Sequence, residues 1–563
     1  MSDNHIDTDP LNLIEPDSLE TSRRQFLTLT GTSLAALSTL AAGCSDASEQ
    51  ASTTPGVVNA AAQLAAPTAP FDSIRDYLIA LEANGLLLRV PRIDQDRYQS
   101  TALVFRSGDR FGIFNSPALM FENVKIDGKW MEGPLIANTQ GHITTDCILA
   151  GVKAVPEDRF VSYRKAKAHW TKMLESNDGV FPEIPPIVVE RDQAPCKEVE
   201  LIGDEINLFD FAFIKTNPAD AGRYINTGSV FSYDERLGHN FGTYRCEITG
   251  PRMLSVNSSP NHVGYKTWMA ARERGEKTVK VSIIVGQDPI VWMISGAPLA
   301  RRREEPVNEL AMAGGLRGKA LEVVKSDTND MLVPAHTEMV IEGEILVADP
   351  LVTEGPFGEM FGYLGVQKEN VFTMRIDKIT HRKNPWIMNS YTGMQRGYIT
   401  APMEAMYDIL LRRMVPNLVE FHYPQTMKGI AFISIDKTAP GQGLKAGRAI
   451  ANRIPISKVV VVVDKEMNIL DPVEMWFTIG SRWQPYPASE IIEEAPGIIT
   501  DPSAPKEWKS SKIVIDATKQ WPEEGGPANY AELNRVLLEQ GAPDAFTDVD
   551  TDFADLLHAW ERV

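Results

Sequence analysis

Ten consecutive residues constrain this chain more than any other stretch: Thr353-Glu354-Gly355-Pro356-Phe357-Gly358-Glu359-Met360-Phe361-Gly362. Pro356 has no amide hydrogen and holds its own φ, which excludes a helix interior. In a flat strand, residues five apart face opposite sides, so Glu354 and Glu359 would not meet. Gly355 and Gly358 open the backbone angles that turn both acids toward one point. Two carboxyl groups brought together do acid–base work, because proximity and burial move their pKa values apart. The alternative is a Gly/Pro-rich surface turn with two solvated acids.

A chain of 563 residues is long enough for two or three domains with substantial cores. Its hydrophobic content of 43% and charged content of 23% are those of a soluble globular protein. The formal net charge is −19, and no Lys/Arg tract offsets it. Such a balance repels a polyanion and argues against nucleic-acid binding. The four cysteines, Cys44, Cys147, Cys196 and Cys246, give no disulfide framework, and no C-x-x-C or H-E-x-x-H zinc pattern occurs.

Residues 1–44 read as a targeting segment. Ser22-Arg23-Arg24-Gln25-Phe26-Leu27 is a twin-arginine pattern. The apolar run from Leu27 to Ala42 is short for a membrane span and ends in small residues, as a cleavable signal does. Leu40-Ala41-Ala42-Gly43-Cys44 resembles a lipoprotein cleavage box, with Ala41 where Leu is usual. Lipid on Cys44 and ordinary signal cleavage both stand. The expectation is export by the twin-arginine translocase, which carries folded proteins, to the periplasm or a membrane-anchored extracytoplasmic position.

Residues 45–70, rich in Ser, Thr, Ala and Pro, read as a flexible tether. Residues 71–198 read as an N-terminal α/β domain. There Asp72 is placed to cap a helix with apolar Ile74, Tyr77, Leu78 and Leu81, Gly85 to stop it, and Leu86 to Val90 to form a strand. Residues 199–385 turn mainly to strands: Gly228 to Tyr233, Gly242 to Ile248, Val279 to Val285, Glu338 to Leu346 and Phe372 to Ile376, with one helix over Lys266 to Arg274. Many short strands with turn signals predict a barrel or sandwich. Residues 386–563 are α/β again. Met403 to Met414 is a helix stopped by Pro416, and the Val459 to Val463 run is a strand covered on both faces. Tyr530 to Gln540 and Phe553 to Arg562 read as tail helices that either pack on their own domain or contact another subunit.

The Glu354 to Glu359 segment resembles the signature of the UbiD-type decarboxylases, which use prenylated FMN. Asn240-Phe241-Gly242-Thr243-Tyr244-Arg245 resembles that family's cofactor strand, N-x-G-x-Y-R. Asn329-Asp330-Met331-Leu332-Val333-Pro334 and Glu338-Met339-Val340-Ile341-Glu342-Gly343 are similar to family text as well, and the likeness runs from about Phe71 to about Trp521. It implies an α/β (α+β) fold in which the central domain is a split β-barrel that holds the flavin.

Removing CO2 from an aromatic or acrylic acid leaves an electron pair on an sp2 carbon, and no side chain delocalises it, so an electron-sink cofactor is required. The resemblance makes Glu359 the proton donor, Arg245 a planar carboxylate clamp that Lys does not replace, and Glu354 the group that orients Arg245. It implies a divalent metal beside the flavin phosphate, Mn2+ or Mg2+, often with K+, held by Asn240, His262 and Glu309. His239 is a rival to His262, and a lone His is more often a structural hydrogen-bonding residue. Gly242, Thr243, Tyr244 and Asn261 join the flavin contacts. Ser295-Gly296-Ala297-Pro298, placed after an apolar strand, would cradle the phosphate through backbone amides. Glu304 and Glu305 follow the basic run Arg301 to Arg303, which reads as a solvated loop. Asn389 to Arg396, including Tyr391, Met394 and Arg396, is either a substrate-pocket wall or a plain loop.

The implied partners are an aromatic or α,β-unsaturated acid, a flavin prenyltransferase as cofactor supplier, and a second copy of the chain. Two competing readings remain: a binding lipoprotein that kept the fold without the reaction, and a metal-dependent hydrolase built on Glu309 and His262. The same site can also run toward carboxylation when CO2 is abundant.

Overall fold

A ten-stranded sheet, all of its pairings antiparallel, forms the centre of the molecule. Its hydrogen-bonded path runs Gly238–Thr243, Ser229–Asp234, Val279–Val285, Met339–Ile345, Lys368–His381, Met253–Asn257, Arg245–Gly250, Tyr224–Ile225. Val352–Glu354 and Val199–Ile202 pair with the long Lys368–His381 strand from the side. Thr243 ends the first strand of the path and Arg245 begins the last but one, with Tyr244 alone between them. The sheet therefore curls until its two ends meet at one residue without pairing there, which makes it a barrel split along that seam. The computed structural model describes residues 66–131, 133–297, 299, 308–393, 395–425, 427–505 and 508–556. The twin-arginine pattern, Cys44, most of the tether, Pro298, Arg301 to Glu305 and Met394 lie outside them.

The seam corrects one expectation. Gly242 to Ile248 is not a continuous strand; it breaks at Tyr244. The Tyr244 ring is buried against His262 and Trp268, with ring centroids 5.4 and 5.9 Å away. Its hydroxyl sits between Gly242 and Gly264, and a Cβ on either glycine would approach it to 2.8 Å. The aromatic ring takes the space a regular pleat would need.

On the N-terminal side, Leu87–Val90, Ala118–Phe121 and Leu135–Ala137 form a small sheet that Ile387–Met388 completes after the chain leaves the barrel. The first helix is Ile74–Ala83, and Ser73 caps it by accepting the Asp76 amide. Asp72, expected as the cap, is instead taken by Arg317 and Lys319, each at 2.7 Å. Two cations outbid the helix amides for that carboxylate.

The third layer is a five-stranded sheet ordered Leu418–His422, Ile430–Ile435, Val459–Asp464, Lys509–Asp516, Ser489–Pro496. Val459–Asp464 is central and parallel to both neighbours, as the valine run predicts. Its alternate valines serve two cores: Val460 and Val462 pack with Ile450 and Ala446, Val461 and Val463 with Met475 and Ile469. The tail helices are Asn534–Gly541 and Ala545–Asp552, and neither buries a residue. Phe553 ends the second of these helices, residues 554–556 are helical again directly after it, and residues 557–562 of the expected last helix lie outside the described chain.

Candidate active site

The two acids of the opening stretch meet on one guanidinium. Gly355 takes φ 88°, a conformation that glycine reaches without a Cβ clash, and the chain turns through Pro356 into the two-residue strand Phe357–Gly358, paired with Leu364–Gly365. Glu359 heads the connecting turn. Its amide donates to the Tyr363 carbonyl at 2.8 Å and its carbonyl accepts the Gly362 amide at 2.9 Å. From the seam, Arg245 donates twice to Glu354, from Nε to Oε1 and from Nη2 to Oε2, both at 2.9 Å. Its Nη1 donates to Glu359 Oε1 at 2.6 Å. The Phe357 ring centroid lies 5.2 Å from the guanidinium carbon and packs on Tyr224.

Glu354 is fully buried, so its charge needs donors in place of water. Asn257, the cross-strand partner of Arg245, supplies a third at 2.6 Å. Two more acids brace the turn. Glu247 accepts the Gly355 amide at 3.2 Å and Asp220 the Gly358 amide at 3.1 Å; burial holds both carboxyls above their ordinary values. Asn257, Asp220 and Glu247 carry no sequence motif. Only the register opposite Arg245 and the path of the turn disclose them.

Arg245 and Glu359 open on a cavity of about 380 Å³ that Thr243, Tyr244, His262 and Gly296 also line. A second cavity, of about 390 Å³, is lined by Asn240 and Glu309 together with the stacked rings of Phe231 and Phe241. Tyr244 stands between the two groups: its ring stacks on His262, and its hydroxyl interacts with Asn240 and accepts the Gly264 amide at 3.3 Å. Asn240, His262 and Glu309 are thus gathered around one tyrosine but divided between two openings. The His239 ring lies tilted against Tyr233, centroids 4.6 Å apart, and His239 lines the second cavity. Asn261 is exposed on the turn before His262 and is not part of either lining.

These donors fit a cation. Among the described residues Glu309 accepts one hydrogen bond, from the Phe241 amide at 3.0 Å, and desolvation pushes its carboxyl up to about 7. Asn240 would offer its amide Oδ1, the oxygen being the atom that ligates a cation. Desolvation, and then Lys266, hold the His262 imidazole below its usual pKa, which favours the neutral ligand form. A pH dependence follows. Between about pH 4.5 and about 7 the folded chain keeps a proton on Glu309 that the unfolded chain has lost. Stability of the metal-free protein is therefore expected to fall as pH rises through that window. Thermal melts from pH 5 to 8 should show this slope in the wild type and a flatter profile in Glu309→Gln.

The Ser295 segment corrects a further expectation. It is not a loop after a strand but the end of the helix Pro289–Gly296. Asp288 caps that helix by accepting the Ile290 and Val291 amides, and Pro289 to Ile294 are all buried, so no polar stripe announced it. The Ser295 hydroxyl bonds Thr243 at 2.7 Å, and the Ala297 amide is already given to the Met293 carbonyl, also at 2.7 Å. Among the described residues of the segment, Ser295, Gly296 and Ala297, only Gly296 lines the cavity. The segment 389–396 is divided. Ser390, Thr392, Gly393 and Gln395 line the cavity, whereas Tyr391 and Arg396 turn into the core, toward Ser100 and Asp146.

Residues 187–395 match the family described as 3-octaprenyl-4-hydroxybenzoate carboxy-lyase Rift-related domain, and residues 398–517 its C-terminal domain. Among solved structures, vanillic acid decarboxylase of Sedimentibacter hydroxybenzoicus in open form superposes with TM-score 0.72 at 26% identity, over 87% of this chain and 99% of that one. An evolved dimeric form of the UbiD-class enzyme HmfF from Pelotomaculum thermopropionicum, in complex with prFMN, gives TM-score 0.67 at 26% identity, over 82% and 97%. The phenolic acid decarboxylase of Sedimentibacter hydroxybenzoicus is 30% identical over 476 residues, which is 81% of this chain and 93% of that enzyme. With both domain matches in chain order and identity sustained over nearly the whole of a decarboxylase, the chain belongs to the UbiD family of decarboxylases.

Proposed function

We propose that the chain decarboxylates an aromatic or α,β-unsaturated carboxylic acid with prenylated FMN, reversibly and without net oxidation. The observation that carries this reading is the Arg245 guanidinium shared by Glu354 and Glu359 at the wall of the 380 Å³ cavity. Gly242, Thr243, Tyr244 and Gly296 would hold the flavin, and Asn240, His262 and Glu309 a Mn2+ or Mg2+ ion at its phosphate, with K+ as a further counter-ion. Bound there, the cofactor supplies the electron sink that no side chain provides.

The chain's own residues do the rest. Arg245 would hold the substrate carboxylate through the Nη1 and Nη2 hydrogens that its bonds to Glu354 and Glu359 leave over, while Glu354, itself held by Asn257, keeps the guanidinium from rotating. The bond from ring or vinyl carbon to carboxylate carbon breaks and CO2 leaves. Glu359, protonated, gives its proton to the carbon that lost CO2 and is left as a carboxylate on Arg245 Nη1, until a proton from solvent resets it.

The test is co-expression with a flavin prenyltransferase, followed by the visible spectrum of the purified protein and CO2 release from a panel of cinnamic and hydroxybenzoic acids. A bound modified flavin and turnover of at least one acid are expected. Exhaustive chelation should lower flavin retention. A colourless protein that releases no CO2 from any of them would sink the proposal.

A further inference from the structure

The Glu359 turn is held from two sides, and Arg245 accounts for only one. The hairpin that carries it has two-residue strands, and Tyr363, Leu364 and Val366 on it are exposed. So short a hairpin does not hold its shape unaided. Thr392 donates to the Gly358 carbonyl at 2.8 Å just before the turn. Just after Glu359, the Met360 carbonyl accepts the Lys428 ammonium at 2.5 Å.

Lys428 belongs to another layer. It lies in the connection between Leu418–His422 and Ile430–Ile435, the first two strands of the C-terminal sheet. The same connection packs against the turn at its next residue: a Cβ on Gly429 would be 3.6 Å from the Phe361 ring, and the Lys458 ammonium is 5.8 Å from that ring's centroid. Lys428 also lines the cavity that contains Arg245, Glu359 and Lys368. Lys458, behind Phe361, is paired with Asp501. Among the described residues no carboxylate forms an ion pair with Lys428, although the chain holds 75 acidic residues against 56 basic ones. Desolvation pushes its amine down to about 8. A lysine that stands in the cavity wall without an acid, yet gives a short bond to the carbonyl next to Glu359, is placed to hold that turn.

We propose that Lys428 is a positioning residue: by pinning the Met360 carbonyl it fixes where Glu359 stands, and it ties the acid of the reaction to the C-terminal sheet. The description of Glu359 as the acid rests on the proposed function; the tie itself does not.

Lys428→Met keeps the length and removes the donor, and Lys428→Arg keeps a donor. In the full chain, hydrogen exchange of the Glu359 and Gly362 amides is expected to quicken by about tenfold in Lys428→Met, as loss of one charge-assisted bond predicts. Helix Gln442–Arg453 should exchange as in the wild type, and Lys428→Arg should restore most of the turn's protection. In CO2 release from whichever acid is turned over, kcat should fall about tenfold with KM little changed. Unchanged exchange at the turn would overturn the proposal. So would loosening spread through the Gln442–Arg453 helix, which marks a general fold defect, or a raised KM at constant kcat, which marks a substrate anchor. If the wild type releases no CO2, the functional reading falls and the exchange result still decides the tie.

Discussion

Arg245→Lys is expected to lower CO2 release by about 10²- to 10⁴-fold in a chain that still folds. The guanidinium makes three charge-assisted bonds in one plane, two to Glu354 at 2.9 Å and one to Glu359 at 2.6 Å. A lysine ammonium is a single nitrogen on a flexible stem, so it does not span the Glu354 carboxylate bidentately and reach Glu359 as well. Each such bond has a net worth of roughly 1.5–3 kcal/mol, and losing the equivalent of two corresponds to the rate loss given at about 1.4 kcal/mol per tenfold. Folding survives because the positive charge stays beside buried Glu354 and Asn257 still donates to it at 2.6 Å. Removing the charge outright, in Arg245→Ala, strands that carboxylate and costs about 3–5 kcal/mol. Initial-rate assays paired with urea denaturation separate the two effects: a small shift of the midpoint with a large loss of rate is the expected pattern for Lys. Near-normal turnover in Arg245→Lys would refute the clamp.

What the sequence disclosed was local. The Glu354 to Glu359 stretch left two courses open, a solvated Gly/Pro turn or two acids turned to one point by Gly355 and Gly358, and in the structure the two acids meet on Arg245. The valine run was legible because a strand covered on both faces needs apolar residues at every position, and its alternate valines enter two cores. The helix Pro289–Gly296 was not legible, since a helix buried all round loses the 3.6-residue period and resembles a strand. The break at Tyr244 depends on Gly264, twenty residues away, leaving room for a hydroxyl. Asn257, Asp220 and Glu247 reach the site through register and turn path, and Lys428 arrives from a different sheet. Tyr391 and Arg396, read as pocket wall or loop, are drawn into the core by Ser100 and Asp146, partners distant in sequence. In each case the missing information is a long-range contact, which neither periodicity nor capping encodes.

Glu359→Gln is the other large expected effect, and it separates an enzyme from a binder on the same fold. Glutamine has the shape of glutamate and keeps a carbonyl oxygen, so Arg245 Nη1 can still donate to it where it now donates to Oε1 at 2.6 Å. The turn is closed by backbone bonds at 2.8 and 2.9 Å, which the substitution leaves alone. Cavity, clamp and turn are therefore preserved, and what disappears is a transferable proton. A positioned general acid contributes about 10²- to 10⁴-fold, and a loss of kcat in that range is expected with little change in ligand affinity. The affinity of the folded variant for a non-reacting aromatic acid, measured by calorimetry, should stay within about threefold of wild type, because removing an acid that acts only in the transition state leaves ground-state binding intact. A mere binding protein would have no turnover to lose. A hydrolase centred on Glu309 and His262 would keep its rate, since its donors lie around Tyr244 rather than at the turn. Loss of CO2 release with retained affinity fits the proton-donor role alone, whereas a variant that decarboxylates at wild-type rate would require the proton to come from elsewhere in the cavity and would remove Glu359 from the mechanism.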